Sequence, residues 1–555
     1  MSRTDAFRRP AARSDEVVND GQLCLRGRFC MTEVTHHYSR GKQPKMLMGE
    51  YFRKVKWEEA VEKATGAFSN CSPDEVVTLV SPDLTNESIF AAQKFVRECL
   101  KSENIDSTAR ERLAGGPAAW AELFSHRNSI HDIRNSDVVL AVSLDTRFDF
   151  SVTGVEVRHA LADGATLITV DSRDTNLARY TDDWLQCPPG TEGALLKAVI
   201  TADIREIAKA AKLSGLSEEF IARCANDFAH HESASVILGP SFFTNCGDVS
   251  DALKVLGSHD ELNVIPLYWG ANTRGALELG AMSGVKPGPR IDRNTTGLLE
   301  KLRSGELKPK VLYLIGDVPF SERPEAEFVI CQDIYEPPFP VDVYLPAASF
   351  AEAEGTLTNV EGRVQHLHQV EFPPDGARTG FVRPDWKILS MLATAMEADG
   401  FAYESAKDLR KDIAGAVEGF PAEVDRERRR VKPGIGDLGS YEYSKPADGE
   451  YKLLIHPGGY VHRGVGMQEK VSGLKQLSLE SGVAMNPQDM KTLNIQDGER
   501  VDISASGLGK ALQAVVRARE EVCPGTVTAF RPTTGNTSDM PLYGPLNIEH
   551  IRPKA

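Results

Sequence analysis

The sequence lacks several features that would each have indicated a particular class of protein. No stretch of its 555 residues approaches about 18 consecutive apolar side chains, so a membrane-spanning helix is not predicted. The formal net charge of -15 argues against general nucleic-acid binding, which requires a basic face. The amino terminus is basic and polar but lacks the apolar core of a secretory signal. A cytoplasmic protein is therefore predicted, with an Arg-rich transit segment as the alternative.

Cysteine is scarce, and its spacing argues against two further classes. The chain has 9 cysteines and no Cys-x-x-Cys pair, which argues against a disulfide framework. It also has no His-Glu-x-x-His motif and no cluster of cysteine with histidine, so a zinc hydrolase is not indicated. Most of the thiols are expected to be buried in a reducing compartment.

Short apolar runs that alternate with helical segments fill most of the chain. Runs typical of buried strands are EVVTLVSP, SDVVLAVSLD, ATLITVDSRD, SASVILGPS and KVLYLIGD. Segments such as NESIFAAQKFVRECLK, with Thr85 or Asn86 placed to cap, have the spacing of helices. The alternation predicts parallel sheets with helices on both faces. Near the carboxyl terminus, short strands and an Asp497-Gly498 turn predict a small β-barrel domain instead.

Four segments, in order along the chain, resemble one family. They are GQLCLRGRFC (21–30), GATLITVDSRDTNLARYTDDWLQCPPGTEGALLKAV (164–199), CQDIYEPPFPVDVYLPAASFAEAEGTLTNVEGRVQ (331–365) and MNPQDMKTLNIQDGERVDI (485–503). Together they resemble the molybdopterin oxidoreductase superfamily, which contains formate dehydrogenases, nitrate reductases and the large G subunit of NADH-quinone oxidoreductase. The segment TLTNVEGRVQ is most similar to formate dehydrogenases and to that large G subunit.

The resemblance implies a multidomain α/β fold of the molybdopterin-oxidoreductase type, with parallel sheets flanked by helices and a carboxyl-terminal β-barrel. Four regions are predicted. They are an N-terminal remnant of the iron–sulfur and small β region (1–74), an α/β core of two interleaved domains (75–401), a charged connecting arm that contains the basic run RERRR (402–448) and a barrel domain resembling those that bind molybdopterin dinucleotides (449–555).

A molybdopterin guanine dinucleotide site is the cofactor site that the resemblance implies. Asp171 and Arg173 directly follow a predicted strand, where a carboxylate can accept from guanine or ribose and an arginine can bind phosphate. The alternative for this pair is a helix cap with a surface ion pair. The residues assigned to the cofactor are Asn86, Asp171, Arg173, Gly239, Asn272, Gly316, Asp333, Asn359, Arg363 and Gln365.

The stretch from Asn359 to Gln365 carries amide side chains that suit the edges of a pterin ring. Asn359 and Gln365 each offer both donors and acceptors, as the edge of a pterin ring does. In relatives this loop lines the crevice around the cofactor. The alternative is structural: Gly355 and Thr356 form a turn, and Glu354 faces water.

An iron–sulfur cluster is implied only in part. Relatives usually carry three closely spaced cysteines and a fourth in a segment like LCLRGRF, because four thiolates hold a [4Fe–4S] cluster. Cys24 occupies the fourth place here, Cys30 follows, and no other cysteine lies nearby. Loss or truncation of this region is the expectation. The alternative is a cluster completed by ligands from another protein of the complex.

The position of the metal ligand is the main departure from a working enzyme. Within ENIDSTARERLAGG (103–116), Arg112 occupies the place where relatives carry a cysteine or selenocysteine on molybdenum or tungsten. A guanidinium has no lone pair to donate and stays charged, so it cannot replace a soft anionic ligand. Leu113 stands where formate dehydrogenases have histidine. Only Ser107, as an alkoxide, or Cys99 could substitute, and neither is expected to do so.

A component of a redox complex that resembles the large G subunit of NADH-quinone oxidoreductase is therefore predicted. It would lack its own molybdenum chemistry and serve as a scaffold or electron-transfer-associated subunit, and no catalytic residue is assigned. Its expected partners are iron–sulfur proteins and flavin- or NADH-binding proteins, through which it could associate peripherally with a membrane. Two alternatives stay open: an active bis-pterin molybdenum or tungsten enzyme like formate dehydrogenase with a borrowed cluster, and a pterin-cofactor carrier.

Overall fold

A computed structural model describes most of the chain. The described residues are 18–49, 51–113, 117–126, 128–147, 150–242, 249–291, 297–370, 382–424, 431, 434–435, 451–457, 470–473, 482–505, 511–531 and 546–553. The chain forms two compact units, each discontinuous in sequence. The hairpin unit comprises Glu33–Arg110 and Trp269–Asp437, and the barrel unit comprises Met1–Thr32, Glu111–Tyr268 and Leu438–Ala555.

The hairpin unit is built on a seven-stranded sheet. Its strands, in spatial order, are Tyr51–Lys54, Lys45–Met48, Val343–Pro346, Phe328–Asp333, Val311–Ile315, Val76–Val80 and Ile105–Ser107. The last five run parallel, and the first two form an antiparallel extension. Every residue of Val76–Val80 is buried, as expected for a parallel strand covered on both faces. The predicted parallel sheet is thus confirmed.

Helices and two small sheets complete this unit. Its helices include Trp57–Ser69, Asn86–Lys94, Thr273–Glu278, Leu298–Ser304, Asp385–Ala395 and Ala406–Ala416. The strands Val285–Lys286, Arg290–Ile291 and Gly434–Ile435 form one small sheet, and Gly355–Thr358 with Val364–Leu367 forms the other. We call this second, antiparallel pair the Gly355 hairpin.

The barrel unit contains a second parallel sheet. Its five strands, in spatial order, are Trp184–Leu185, Thr166–Val170, Val138–Val142, Ala234–Leu238 and Asn263–Pro266. The accompanying helices include Leu25–Phe29, Pro117–Glu122, Ser151–Ala162, Glu192–Thr201, Ile204–Ser214, Glu218–Ala229 and Val249–Gly257. None of the helices in the described part of either unit is both long and apolar enough to cross a bilayer.

A closed six-stranded barrel forms the carboxyl-terminal part of the barrel unit. Its strands are Lys452–Pro457, Thr526–Arg531, Gly482–Met485, Leu512–Ala518, Arg500–Ala505 and Leu546–Pro553, in spatial order. The strand Arg500–Ala505 alternates between exposed or half-buried and buried side chains, which is the pattern of a strand with one face on an apolar core. The predicted barrel is confirmed.

Part of the predicted connecting arm is an ordinary helix of the hairpin unit. Ser405 begins the helix Ala406–Ala416 with a capping box, and Leu409 and Ile413 are buried on its inner face. Charged residues on the exposed face obscured this apolar stripe in the sequence. The basic run RERRR lies outside the described residues, and the predicted domain boundaries stay a prediction.

Candidate functional site

Polar side chains lie at the carboxyl edge of the parallel sheet in the barrel unit. Asp171 follows the strand Thr166–Val170 and accepts hydrogen bonds from Nε and Nη2 of Arg173, both at 2.9 Å. Burial lowers the pKa of Arg173, but the charge and hydrogen bonds of Asp171, together with the charges of Asp145 and Glu192, outweigh burial, and the pKa lies above its ordinary value. Nη2 of Arg173 also donates to Ser241 Oγ at 3.2 Å. The pair is thus a preorganised group with a buried carboxylate and a half-buried guanidinium.

Two buried hydroxyls at the same sheet edge have no partner. Ser143 follows the strand Val138–Val142 with a φ of 53°, and Ser172 follows Asp171. The Oγ atoms of both serines are buried and make no hydrogen bond. A buried hydroxyl without a partner costs about 1–3 kcal/mol, so its presence needs an explanation. A polar ligand at this edge would satisfy both groups.

Gly239 brings the neighbouring backbone close to these serines. A Cβ at position 239 would lie 2.0 Å from the carbonyl oxygen of Ser143, so no larger residue fits without movement. Gly239 N–H donates to Val142 O at 2.8 Å, which fixes the turn after the strand Ala234–Leu238. The predicted cofactor residues of the barrel unit therefore converge on one sheet edge and fit a polar, nucleotide-like group.

The hairpin unit presents a corresponding edge. Gly316 ends the strand Val311–Ile315 with a φ of 74°, a conformation that favours glycine. Asp333 ends the neighbouring strand, and its Oδ1 accepts from Ile334 N at 2.6 Å. Ser349 is buried after the strand Val343–Pro346, and its Oγ has no hydrogen-bond partner. This edge also has a buried polar group that a ligand could satisfy.

Asn86 and Asn272 meet on the Gly355 hairpin. Nδ2 of Asn86 donates to the hydroxyls of Thr356 and Thr358, each at 3.1 Å. Asn272 accepts from Thr358 N at 2.8 Å and donates to Leu84 O at 2.8 Å. Thr85, rather than Asn86, caps the helix, because its Oγ1 accepts from Ser88 N at 3.2 Å. Both asparagines are fully buried and fix the position of the hairpin.

The hairpin turn uses two of the predicted residues internally. Asn359 Oδ1 accepts from Glu361 N at 3.0 Å and from Arg363 N at 2.9 Å. Arg363 Nε donates to Glu361 Oε2 at 2.7 Å. Gln365 is half-buried in the second strand, where it pairs with Leu357. These contacts give Asn359 and Arg363 a turn-forming role, and their contact with a cofactor stays a prediction.

Sequence reasoning did not single out Glu87 or the Arg274–Glu278 pair. Glu87 is wholly buried in the first turn of the helix Asn86–Lys94, where an acidic residue ordinarily faces water near the positive end of the helix dipole. Arg274 and Glu278 form a fully buried ion pair at 2.7 Å. The spacing of four residues signalled that pair, but no sequence signal indicated its burial.

Asp106 fixes the segment to which the sequence resemblance assigns the metal-ligand position. Its carboxylate accepts from Arg110 Nε at 3.1 Å and from Leu298 N at 2.7 Å. The neighbouring Ser107 is buried, and its Oγ donates to Val80 O at 2.7 Å. A serine that donates its proton to a carbonyl is not an alkoxide, so Ser107 does not have the form of a metal ligand. Arg112 ends the short 3-10 helix Thr108–Arg112 that follows.

Cys99 is far from the sheet edge. It ends the π-helical turn Phe95–Cys99 that continues the helix beginning at Asn86, which places it about 20 Å along the axis from that residue at 1.5 Å per residue. Burial raises the pKa of the Cys99 thiol to about 11. Cys99 thus lies at the opposite end of the helix from Asn86, and its exclusion as a metal ligand stays a prediction.

Cys24 caps a helix in the barrel unit. Its Sγ accepts from Gly27 N at 3.5 Å at the start of the helix Leu25–Phe29. Cys30 follows the last residue of that helix and is buried. Over the described ranges, the one group of side chains with metal-ligand geometry is Asp20, His131 and Glu156, which contains no cysteine. Arg134 already donates to both carboxylates of that group, at 2.9 and 2.6 Å. A cluster role for Cys24 stays a prediction.

Sequence comparison relates the chain to known proteins. The sequence model of the molybdopterin oxidoreductase family matches residues 40–395. The chain is 26% identical over 588 residues to the F420-dependent formate dehydrogenase 1 subunit alpha of Methanococcus maripaludis, covering 88% of this chain and 86% of that protein. It is 25% identical over 565 residues to the second G-type subunit of NADH-quinone oxidoreductase from Rhizobium meliloti, covering 90% of this chain and 65% of that protein.

A solved structure supports the fold. The chain superimposes on acetylene hydratase from Pelobacter acetylenicus with a TM-score of 0.70 and 15% identity, covering 95% of this chain and 94% of that one. At this identity the likeness concerns the fold alone. The fold class is confirmed, as is the predicted resemblance to formate dehydrogenase alpha subunits and to the large G subunit of NADH-quinone oxidoreductase.

Proposed function

Because the chain belongs to the molybdopterin oxidoreductase family, we propose that it is a subunit of a redox complex that holds a molybdopterin cofactor but supplies no side-chain ligand to a metal. Family membership implies the cofactor, and the relatives are named as alpha and G subunits. The proposal adds that the guanine dinucleotide form binds and that the chain acts as a scaffold beside an electron-transfer path. Its expected partners are iron–sulfur proteins and flavin- or NADH-binding proteins.

The chemistry of the segment Ile105–Arg112 carries this proposal. It contains no cysteine, and its one serine donates its proton to Val80 O. Asp106 is held by a salt bridge with Arg110 and by backbone N–H groups. The resemblance assigns the metal-ligand position to this segment, and no side chain between Ile105 and Arg112 is a soft anionic ligand of the kind that molybdenum or tungsten favours.

The chain's own residues would bind and orient the cofactor. Asp171 would accept from a base or ribose, and Arg173, held by that carboxylate, would face a phosphate. The free hydroxyls of Ser143 and Ser172 would donate to the same group. When bound with its metal, a molybdopterin supplies oxidation–reduction chemistry. Asp171, Arg173, Ser143 and Ser172 would position the dinucleotide end of such a group.

Metal and pterin analysis of the purified native complex tests the proposal. We expect the fluorescent pterin product after oxidation, no stoichiometric molybdenum or tungsten, and no formate-dependent reduction of a dye. Stoichiometric molybdenum or tungsten, with or without dye reduction, would contradict the proposal. Absence of pterin would refute its cofactor part.

An active formate-directed oxidoreductase is the second candidate. Three relatives named as F420-dependent formate dehydrogenase alpha subunits favour it, because this chain aligns with 86%, 89% and 89% of their lengths. In that case the metal would be held without a side chain from Ile105–Arg112. Formate-dependent dye reduction that accompanies the metal in proportion would support this candidate.

A further inference from the structure

We propose that two copies of this chain associate through the outer edge of the strand Tyr51–Lys54, which pairs antiparallel with the same strand of the second copy. Tyr51–Lys54 and Lys45–Met48 form an antiparallel pair, which we call the edge hairpin, at one end of the seven-stranded sheet. Within the described part of the chain, no further strand pairs with the outer edge of Tyr51–Lys54. This inference goes beyond the proposed function and does not rest on it.

The outer edge presents unpaired backbone groups on a regular strand. Leu47 N donates a hydrogen bond of 3.0 Å towards the interior of the sheet. Because successive residues of a strand direct their backbone groups to opposite sides, the neighbours of Leu47 bond Tyr51 and Arg53. The N–H and C=O groups of Phe52 and Lys54 therefore point outward. The register is continuous over the whole strand, without a bulge or a proline, so the edge is able to accept another strand.

An exposed apolar pair lies on one face of the edge hairpin. Tyr51 is 77% exposed and Met48 is 45% exposed, and the two residues are direct cross-strand partners. Directly paired residues share a face, so Met46 and Arg53, which also pair with each other, lie on this same face. Single exposed apolar side chains are ordinary, but adjacent ones beside an unpaired edge indicate an interaction surface.

Charge restricts how a second copy could pair with this edge. Charged side chains on an edge strand ordinarily oppose strand addition, and Arg53 and Lys54 are both exposed. A two-fold pairing centred on Arg53 or on Lys54 would place like charges directly opposite each other, which is destabilising. Centring on Tyr51 would pair only that residue of the strand. The register centred on Phe52 avoids both problems, because it places Tyr51 of each copy opposite Arg53 of the other.

The register centred on Phe52 satisfies the backbone and the side chains together. Each Phe52 N–H would donate to the Phe52 C=O of the other copy, as in a hydrogen-bonded antiparallel pair. Each Tyr51 ring would lie against the guanidinium of Arg53 of the other copy, which is a cation–π contact, with Met48 on its other side. Because each copy supplies both partners, the contact is isologous and closes at two copies. This self-complementary order of Tyr51 and Arg53 favours a second copy over a strand from a different protein.

Sedimentation velocity of the purified full chain at a series of concentrations tests the proposal. We expect the wild type to form a dimer. In Tyr51→Lys, an ammonium group would face Arg53 of the other copy at two places, so the dissociation constant should rise about tenfold or more. The double variant Tyr51→Lys/Arg53→Glu places opposite charges at the same two places and should recover the dimer. Both side chains are exposed, so neither change should disturb folding.

A control and a second measurement locate the effect. Ile204 is 76% exposed on the barrel unit, and Ile204→Lys should leave the dissociation constant unchanged. Hydrogen exchange over residues 51–56, measured in the same solutions, should slow as the dimer fraction of the wild type rises. In Tyr51→Lys it should stay fast at those concentrations.

Three results would overturn the proposal. A wild type that stays monomeric would mean that Arg53 and Lys54 only protect the edge. A dimer that Tyr51→Lys does not weaken, or one that Tyr51→Lys/Arg53→Glu does not recover, would exclude this register. Exchange over residues 51–56 that slows only in the native redox complex, with the purified chain monomeric, would assign the edge to a different protein. None of these results depends on metal or pterin content, which tests the proposed function separately.

Discussion

Replacing Gly239 by alanine should disturb the sheet edge to which the dinucleotide part of the cofactor is assigned. The new Cβ would lie 2.0 Å from Ser143 O. An ordinary contact needs about 3.4 Å, so backbone must shift by roughly 1.4 Å at one side or the other. Ser143 O accepts from Ser241 Oγ, which in turn accepts from Arg173. The shift is therefore transmitted to the Asp171–Arg173 pair.

Overpacking of this kind costs about 1–3 kcal/mol. That range corresponds to about 5- to 150-fold faster exchange at amides that open with this sheet edge. Hydrogen exchange over residues 138–147 is the assay, because a protein of two units need not unfold in a single transition. We also expect less pterin to be retained on purification.

A matched control is available in the same unit. Gly257 ends the helix Val249–Gly257, and a Cβ there would meet no atom within 4 Å. Gly257→Ala should leave exchange over residues 138–147 unchanged. If Gly239→Ala behaved like this control, the close approach at Ser143 and the reasoning built on it would be refuted.

Three further predictions concern the hairpin unit. Because the folded pKa of Glu87 is raised, its contribution to the free energy of unfolding is fully present below about pH 4.5 and lost as pH rises through about 7. In urea unfolding, the free energy of unfolding of Glu87→Gln should therefore match that of the wild type near pH 4.5 and exceed it by up to about 3 kcal/mol at pH 8. Glu278→Gln should destabilise the hairpin unit by about 3–5 kcal/mol, because it leaves Arg274 buried without its counter-charge. The double variant Glu278→Leu/Arg274→Met should recover much of that loss. Wild-type stability of Glu278→Gln in urea would contradict this prediction. Gly66→Ala should stabilise the helix Trp57–Ser69 by roughly 0.5–1 kcal/mol, since a Cβ there meets nothing, and a lower melting temperature would speak against it.

The sheets and the barrel could be predicted because their signals are local. Runs such as Val76–Val80 and Val138–Val142 are apolar at nearly every position and buried throughout, which is the requirement of a strand covered on both faces. The helix Ala406–Ala416 was missed because charges on its exposed face hid a narrow buried stripe. Its capping box at Ser405 was the available signal.

The candidate site was predicted as a set of strand ends, loops and a helix start. Asp171 and Arg173 are close in sequence, so their pairing could be anticipated. Asn86 and Asn272 are remote in sequence, and only chain folding brings both onto Thr358. Likewise, only the folded turn shows that Asn359 Oδ1 accepts hydrogen bonds from backbone N–H groups of the same turn.

By itself the sequence determined the α/β class, the barrel and the family resemblance, because these depend on residue type and order. It also determined that an arginine, Arg112, stands at the position that the resemblance assigns to the metal ligand. Tertiary structure decided which polar groups are buried, which have partners and which meet. Glu87 shows the difference. An acidic side chain in a first helical turn is ordinarily solvated, and its pKa then stays near the ordinary value. Here the Gly355 hairpin packed over Glu87 excludes water, and this burial raises the pKa.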